Sequence, residues 1–170
     1  MRCTSKVEIM KRITIYFLQA FAVFIGIGSL AFLLWEPHVE GRNVNATLFE
    51  IYFNDPFLLY MYIASFSYFI GLYQVFKLLG LIGQNNVFSQ QSVRALRTIK
   101  YCAIAFITFI LGAEAYFFFV QSGKGEDIAG GVMIGFVLIF ISVIIATIAT
   151  LFEKILQNAV DMKSENDLTV

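Results

Sequence analysis

The sequence predicts an all-α integral membrane protein: an antiparallel four-helix transmembrane bundle with both termini on the cytoplasmic side. Three observations predict it. Of 170 residues, 59% are apolar and only 14% charged, well below the roughly 25% charged of soluble domains. The apolar residues are gathered into four long runs, each close to or above the ~20 residues that carry a helix across a hydrocarbon core about 30 Å thick. The cations are spread unevenly over the segments between the runs, and Lys and Arg concentrate in short cytoplasmic loops. The whole chain reads as one membrane domain. Twelve Lys+Arg balance twelve Asp+Glu, so no basic excess points to direct nucleic-acid binding.

The first span, 13–35, is uncharged from Ile13 to Trp35 and reaches about 35 Å at about 1.5 Å per residue. A cleaved signal peptide would be shorter and end in small residues, whereas here Leu33, Leu34, Trp35 and Glu36 follow. The second span, 57–76, opens with Asp55 as N-cap and Pro56 as first helical residue, a position where the amide lacks a partner anyway. Lys77 closes it. The third, 99–120, holds one internal carboxyl, Glu114, and has Lys100 near enough to its end to snorkel into the headgroups. The fourth, 128–152, is uncharged.

The N-terminus, the 77–100 stretch and the C-terminal tail hold Arg2, Lys6, Lys11, Arg12, Lys77, Arg94, Arg97, Lys100, Lys154 and Lys163, leaving Arg42 and Lys124 for the other face. Both termini are therefore assigned to the cytoplasm. The outer loop, 36–56, contains Thr47–Glu50, which fits a capping box. In the cytoplasmic connection, 77–98, Gly83–Asn86 forms a turn, Ser89 caps the next helix and Phe88 serves as its staple. Val93, Leu96 and Ile99 share one helical face, Arg94 and Arg97 another. The tail, 153–170, continues the helical period through Ile155, Leu156, Ala159 and Val160 for about two turns. Its end, Glu165, Asn166, Asp167, Leu168, Thr169 and Val170, is open to two readings, a frayed terminus or a docking peptide.

Two segments, Asn86-Val87-Phe88-Ser89 with Val93-Arg94-Ala95-Leu96-Arg97-Thr98-Ile99, and the terminal Glu165 to Val170, resemble the signatures of the YoaS-like family of small bacterial four-span membrane proteins, a domain of unknown function. The likeness covers nearly the whole chain, departing from the commoner pattern at Ser92 and Lys100. It implies a bacterial cytoplasmic membrane and supplies no catalytic residues. Members are often encoded beside a small helix-turn-helix regulator, which implies a regulator or other protein as partner at the cytoplasmic face, with Phe88, Ser89, Arg94, Arg97 and the terminal six residues as the interaction candidates.

No catalytic group, cofactor or metal site is read from the sequence. His38 is the one histidine, and Cys3 and Cys102 are the two cysteines, too few for converging metal ligands. Glu114 is the residue of chemical interest, because a carboxyl inside a span costs at least about 2.5–3.5 kcal/mol and is turned toward protein or water. It lies about 10 Å below the outer boundary set by Gln121. Ser29, Ser65 and Gly135 fall at similar depth and Tyr62 slightly shallower, so a polar cluster of Glu114, Ser29, Ser65 and Tyr62 is expected. Two readings of Glu114 compete: a proton or cation site in a small transporter or channel component, and a structural carboxyl. The second is favoured, since no proline breaks a span and broken helices mark transporter sites. Gly131 with Gly135, Ala22 with Gly26 and Ser67 with Gly71 keep the small-x-x-x-small spacing that brings helix backbones close in lipid.

Overall fold

A computed structural model describes residues 2–39, 56–121 and 129–168, with the side chains of 9–35, 56–120 and 129–165. Four helices carry them: α1 (Arg2–Val39), α2 (Pro56–Gly83), α3 (Gln90–Tyr116) and α4 (Ala129–Leu168). The last turn after α3, Phe117–Gln121, is π-type. All four helices are long and apolar enough to cross a membrane, and no strand occurs among the described residues. Helices are the expected solution, because a backbone in lipid must satisfy its own hydrogen bonds within each segment.

Side-chain contacts fix the helix directions. Lys11 Nζ donates to Asn85 Oδ1, Gln19 Nε2 to the Phe76 carbonyl at 3.3 Å, and Ser29 Oγ and Tyr68 Oη share a hydrogen bond of 2.9 Å. Numbers rising along α1 meet numbers falling along α2, so the pair is antiparallel. Phe57 packs on Phe117 with centroids 5.1 Å apart, Tyr60 Oη donates to the Phe109 carbonyl at 2.7 Å, and Gly71 sits beside Cys102, which makes α2 and α3 antiparallel too. The α3–α4 pair runs from Arg97 with Glu153 at one end to Phe117 against Gly131 at the other. The start of α1, the α2–α3 turn and the end of α4 therefore share one face. That is the face to which the Lys and Arg distribution of the sequence assigns both termini.

Each helix packs chiefly on its neighbour in sequence, most extensively α3 on α4, and α1 is held most lightly. Large apolar side chains such as Phe24, Phe32, Phe66, Phe119 and Phe140 are exposed, as befits surfaces solvated by acyl chains. The fully buried residues gather toward the terminus-bearing face, where Leu81, Ser92, Val93, Ala95, Leu96, Ile99, Glu153 and Leu156 lie.

Three local readings are revised. Helix α2 does not close at Lys77 but runs on to Gly83, because Leu78, Leu79, Leu81 and Ile82 keep the apolar pattern and an exposed Lys77 can snorkel. Its true stop is a Schellman motif: Asn85 takes a left-handed φ of 55°, Asn86 N–H reaches the Leu81 carbonyl at 2.9 Å and Asn85 N–H the Ile82 carbonyl at 3.2 Å. Helix α4 continues to Leu168, about four turns past the span rather than two. Phe88 is 59% exposed, and Val87 is the residue that packs against the buried cluster. Asp55, Thr47–Glu50 and the last two residues lie outside the described residues.

Candidate functional site

Two places concentrate polar chemistry, one at the terminus-bearing face and one inside the membrane. The first is built on the α2–α3 turn. Ser89 has extended backbone (φ −138°, ψ 151°) and its hydroxyl accepts from Ser92 N–H at 3.3 Å, so it is the N-cap of α3. Ser89 Oγ also donates to the Asn86 carbonyl at 2.9 Å, and Ser92 Oγ to the same carbonyl at 3.3 Å. Ser92 is 0% exposed. A small hydroxyl fits there, and its bond to the Asn86 carbonyl gives a buried polar group the partner it needs.

Beneath this turn, Val93 and Leu96 of α3 meet Leu156 of α4, with Leu78, Val87 and Val160 packed around them. This apolar joint fastens the later part of α4 to the start of α3. An ion cluster borders it. Glu153 receives Arg97 Nε on Oε1 at 2.7 Å and Lys100 Nζ on Oε2 at 2.6 Å, and Lys100 also stands over the Tyr101 ring, 5.0 Å from its centroid. One nearly buried carboxylate thus holds two cations, and removing it would leave the largely buried Lys100 without this partner, while the half-exposed Arg97 can turn to solvent. This pairing gives Lys100 a defined structural role.

The platform turns Phe88 and Arg94 outward. Beyond it α4 presents exposed Ile155 and Met162, and bonds from Gln157 Nε2 to Asp161 Oδ1 (2.8 Å) and from Ser164 Oγ to the Asp161 carbonyl (2.7 Å) stay within this last stretch. Glu165 to Leu168 continue as helix.

The second place surrounds Glu114, which is 6% exposed. Its Oε1 occupies the space a Cβ would take on Gly135, and its Oε2 is buried without a hydrogen-bond partner. Ile110 and Ala113 on the same helix are buried beside it. Toward the outer surface Phe57 stacks on Tyr116 (centroids 5.2 Å, interplanar 23°) and on Phe117, whose ring lies 3.4 Å from the Cβ position of Gly131. The Phe117 N–H is shared between the Ala113 and Glu114 carbonyls, where the helix changes to its π-type turn. Aromatic side chains thus stand between the carboxyl and the outer face.

The other residues expected near Glu114 make bonds elsewhere. Ser29 bonds Tyr68 across α1–α2, Tyr62 Oη donates to the Leu33 carbonyl at 3.4 Å, and Ser65 Oγ donates to the Tyr62 carbonyl at 2.7 Å. These lie on the α1–α2 side, whereas Glu114 faces α4. Gly26 abuts Leu72 of α2, with 3.1 Å available to a Cβ. Tyr60 reads in the sequence only as an aromatic-belt residue, and its contact is missed: its hydroxyl sits where a Cβ would stand on Gly112. Glu153 is also missed by sequence reasoning; the available signal is an acid placed directly after the last uncharged run. Among the described residues, no three His, Cys, Asp or Glu side chains come together as metal ligands would.

Residues 40–170 match the family described as protein of unknown function (DUF2975). The chain belongs to that family. It is 40% identical over 164 residues to the uncharacterized membrane protein YoaS of Bacillus subtilis (strain 168), an alignment covering 95% of this chain and all of the relative. No solved structure matches. The DUF2975 match includes the platform of α2, α3 and α4 and begins just after α1 ends. The platform therefore lies within the matched region, and the lightly packed α1 lies before it.

Proposed function

We propose that this DUF2975 member is a non-enzymatic protein of the bacterial cytoplasmic membrane whose terminus-bearing face binds a cytoplasmic partner, a soluble regulator being the best fit. The observation that carries this reading is that the first motif segment and the stretch of α4 leading to the second share one joint: the Ser89-capped turn and α4 are packed together through Val93, Leu96 and Leu156. A segment that merely solvated itself would not require so buried a foundation. Rigid presentation lowers the ordering cost of binding, and Phe88 and Arg94 belong to the aromatic and Arg types enriched at interface hot spots. The test is affinity capture from native membranes in mild detergent, comparing the full chain with one ending at Ser164. A soluble protein retained only by the full chain supports the reading; identical captures count against the tail.

A second reading, a small transporter or channel component organised around Glu114, draws on the buried Oε2 that lacks a partner. Against it stand the aromatic side chains above the carboxyl and the self-contained bond of Ser142, whose hydroxyl donates to its own helix at Leu138. A proteoliposome flux abolished by Glu114→Gln would establish this second reading, and no flux above empty vesicles would dismiss it.

A further inference from the structure

A cleft of about 270 Å³ opens between α1 and α2 at the terminus-bearing end. Arg12, Tyr16 and Gln19 line it from α1, and Gly80, Gly83 and Gln84 from the α2 side. It exists because the two glycines carry no side chains: a Cβ on Gly80 would come within 3.3 Å of Gln19 Nε2, and one on Gly83 within 3.5 Å of Ile15 Cγ2. Gln19 closes the deep end by donating to the Phe76 carbonyl, and Lys11 bridges the rim to Asn85. Among the described residues, no carboxylate lines the cleft.

The position of the cleft specifies its ligand class. Arg12 is the last charged residue before the uncharged run that begins at Ile13, so its guanidinium stands at the level of the headgroups. Gln19 lies about 10 Å deeper at the helical rise, at the level of glycerol and the first acyl carbons. A ligand filling the cleft therefore meets a cation at the rim, hydroxyl and amide groups below it, and exposed apolar side chains such as Phe17 and Leu18 alongside. Guanidinium groups pair with phosphate through two parallel hydrogen bonds, and basic pockets between helices on the cytoplasmic side bind anionic headgroups. Lys11 adds positive charge at the rim, where its partner Asn85 is neutral.

We infer that the cleft between α1 and α2 is a binding site for the phosphodiester headgroup of an anionic phospholipid of the cytoplasmic leaflet, with Arg12 as the phosphate ligand and Gln19, Gln84 and Tyr16 as partners for the glycerol portion. The site explains why α1, lightly packed on protein, keeps a polar seam against α2: the lipid completes the contact. This inference is independent of any cytoplasmic partner, since it uses neither the capped turn nor the α4 projection.

Native mass spectrometry of the full chain, delipidated in mild detergent and titrated with phosphatidylglycerol, tests it. The wild type should retain phosphatidylglycerol in preference to phosphatidylcholine. Arg12→Gln should weaken retention by about five- to tenfold, while Lys154→Gln, which removes an exposed cation of the same face, leaves it unchanged. Because Arg12 is exposed, its replacement leaves helix packing intact; Gly80→Val, which fills the cleft while keeping every charge, should produce a similar loss. Equal losses for Arg12→Gln and Lys154→Gln would overturn the inference in favour of diffuse surface charge. Displacement of the lipid by millimolar inorganic phosphate would overturn it in favour of a free-phosphate site.

Discussion

Replacing Gly135 by alanine is the most informative single perturbation of the membrane interior. The new Cβ would coincide with the position of Glu114 Oε1 and stand 2.8 Å from Cδ and 3.4 Å from Cγ, the first two well inside the ~3.5–4.0 Å optimum for carbon contacts. Rotating the carboxylate alone does not clear Cδ. Either Glu114 changes rotamer beside buried Ile110 and Ala113, or α3 and α4 separate. Overpacking of this kind costs about 1–3 kcal/mol. Glu114→Ala should be neutral to mildly stabilising, because losing one buried methylene costs about 0.8 kcal/mol while removing a buried polar atom without a partner returns about 1–3 kcal/mol. In the double variant the methyl group introduced at position 135 enters the vacated space, so most of the Gly135→Ala loss should be recovered. The coupling, about 1–3 kcal/mol, is read from reversible unfolding of the four proteins in mixed micelles. Additive losses, with coupling under about 0.5 kcal/mol, would refute the contact and with it the structural role of Glu114.

The same logic applies to Gly112→Ala, which collides with the Tyr60 hydroxyl; Tyr60→Phe should restore much of the lost stability, measured in the same micelles. Removing the Glu153 carboxylate by Glu153→Ala should lower hydrogen-exchange protection of amides 93–100 by about three- to tenfold, because the largely buried Lys100 loses this partner while the half-exposed Arg97 contributes little; unchanged protection would mean that the cluster is ornamental to the joint. At the turn, Val87→Ala should cost on the order of 1 kcal/mol and Phe88→Ala less than about 0.5 kcal/mol, an inversion of what side-chain size alone suggests; the unfolding midpoints of the two variants check it.

Much of the fold is legible in the sequence because lipid leaves few alternatives. Four apolar runs of spanning length have to be helices, and the cap at Ser89 with Val93, Leu96 and Ile99 on one face follows from spacing. The end of α2 is misplaced by sequence reasoning because Lys77 looks like a boundary charge, whereas the backbone turn at Asn85 ends the helix. That same left-handed residue sets which of Val87 and Phe88 points inward, and hydrophobicity does not encode it. The expected grouping of polar residues around Glu114 rests on depth alone. Depth aligns Ser29 and Ser65 with Glu114 but does not say which neighbour each helix face meets, and Gly135 rather than a hydroxyl faces the carboxyl. The Glu153 cluster depends on the stagger of α3 against α4, which no single segment carries.

The central claim, that the terminus-bearing face engages a cytoplasmic protein, is tested most directly by placing a photo-crosslinking amino acid at position 88 in the full chain within living bacterial membranes. The account predicts a discrete adduct with one soluble protein at position 88, and none from the same probe at lipid-facing position 66. Adducts at 88 with lipid alone, or the same pattern at both positions, would contradict it.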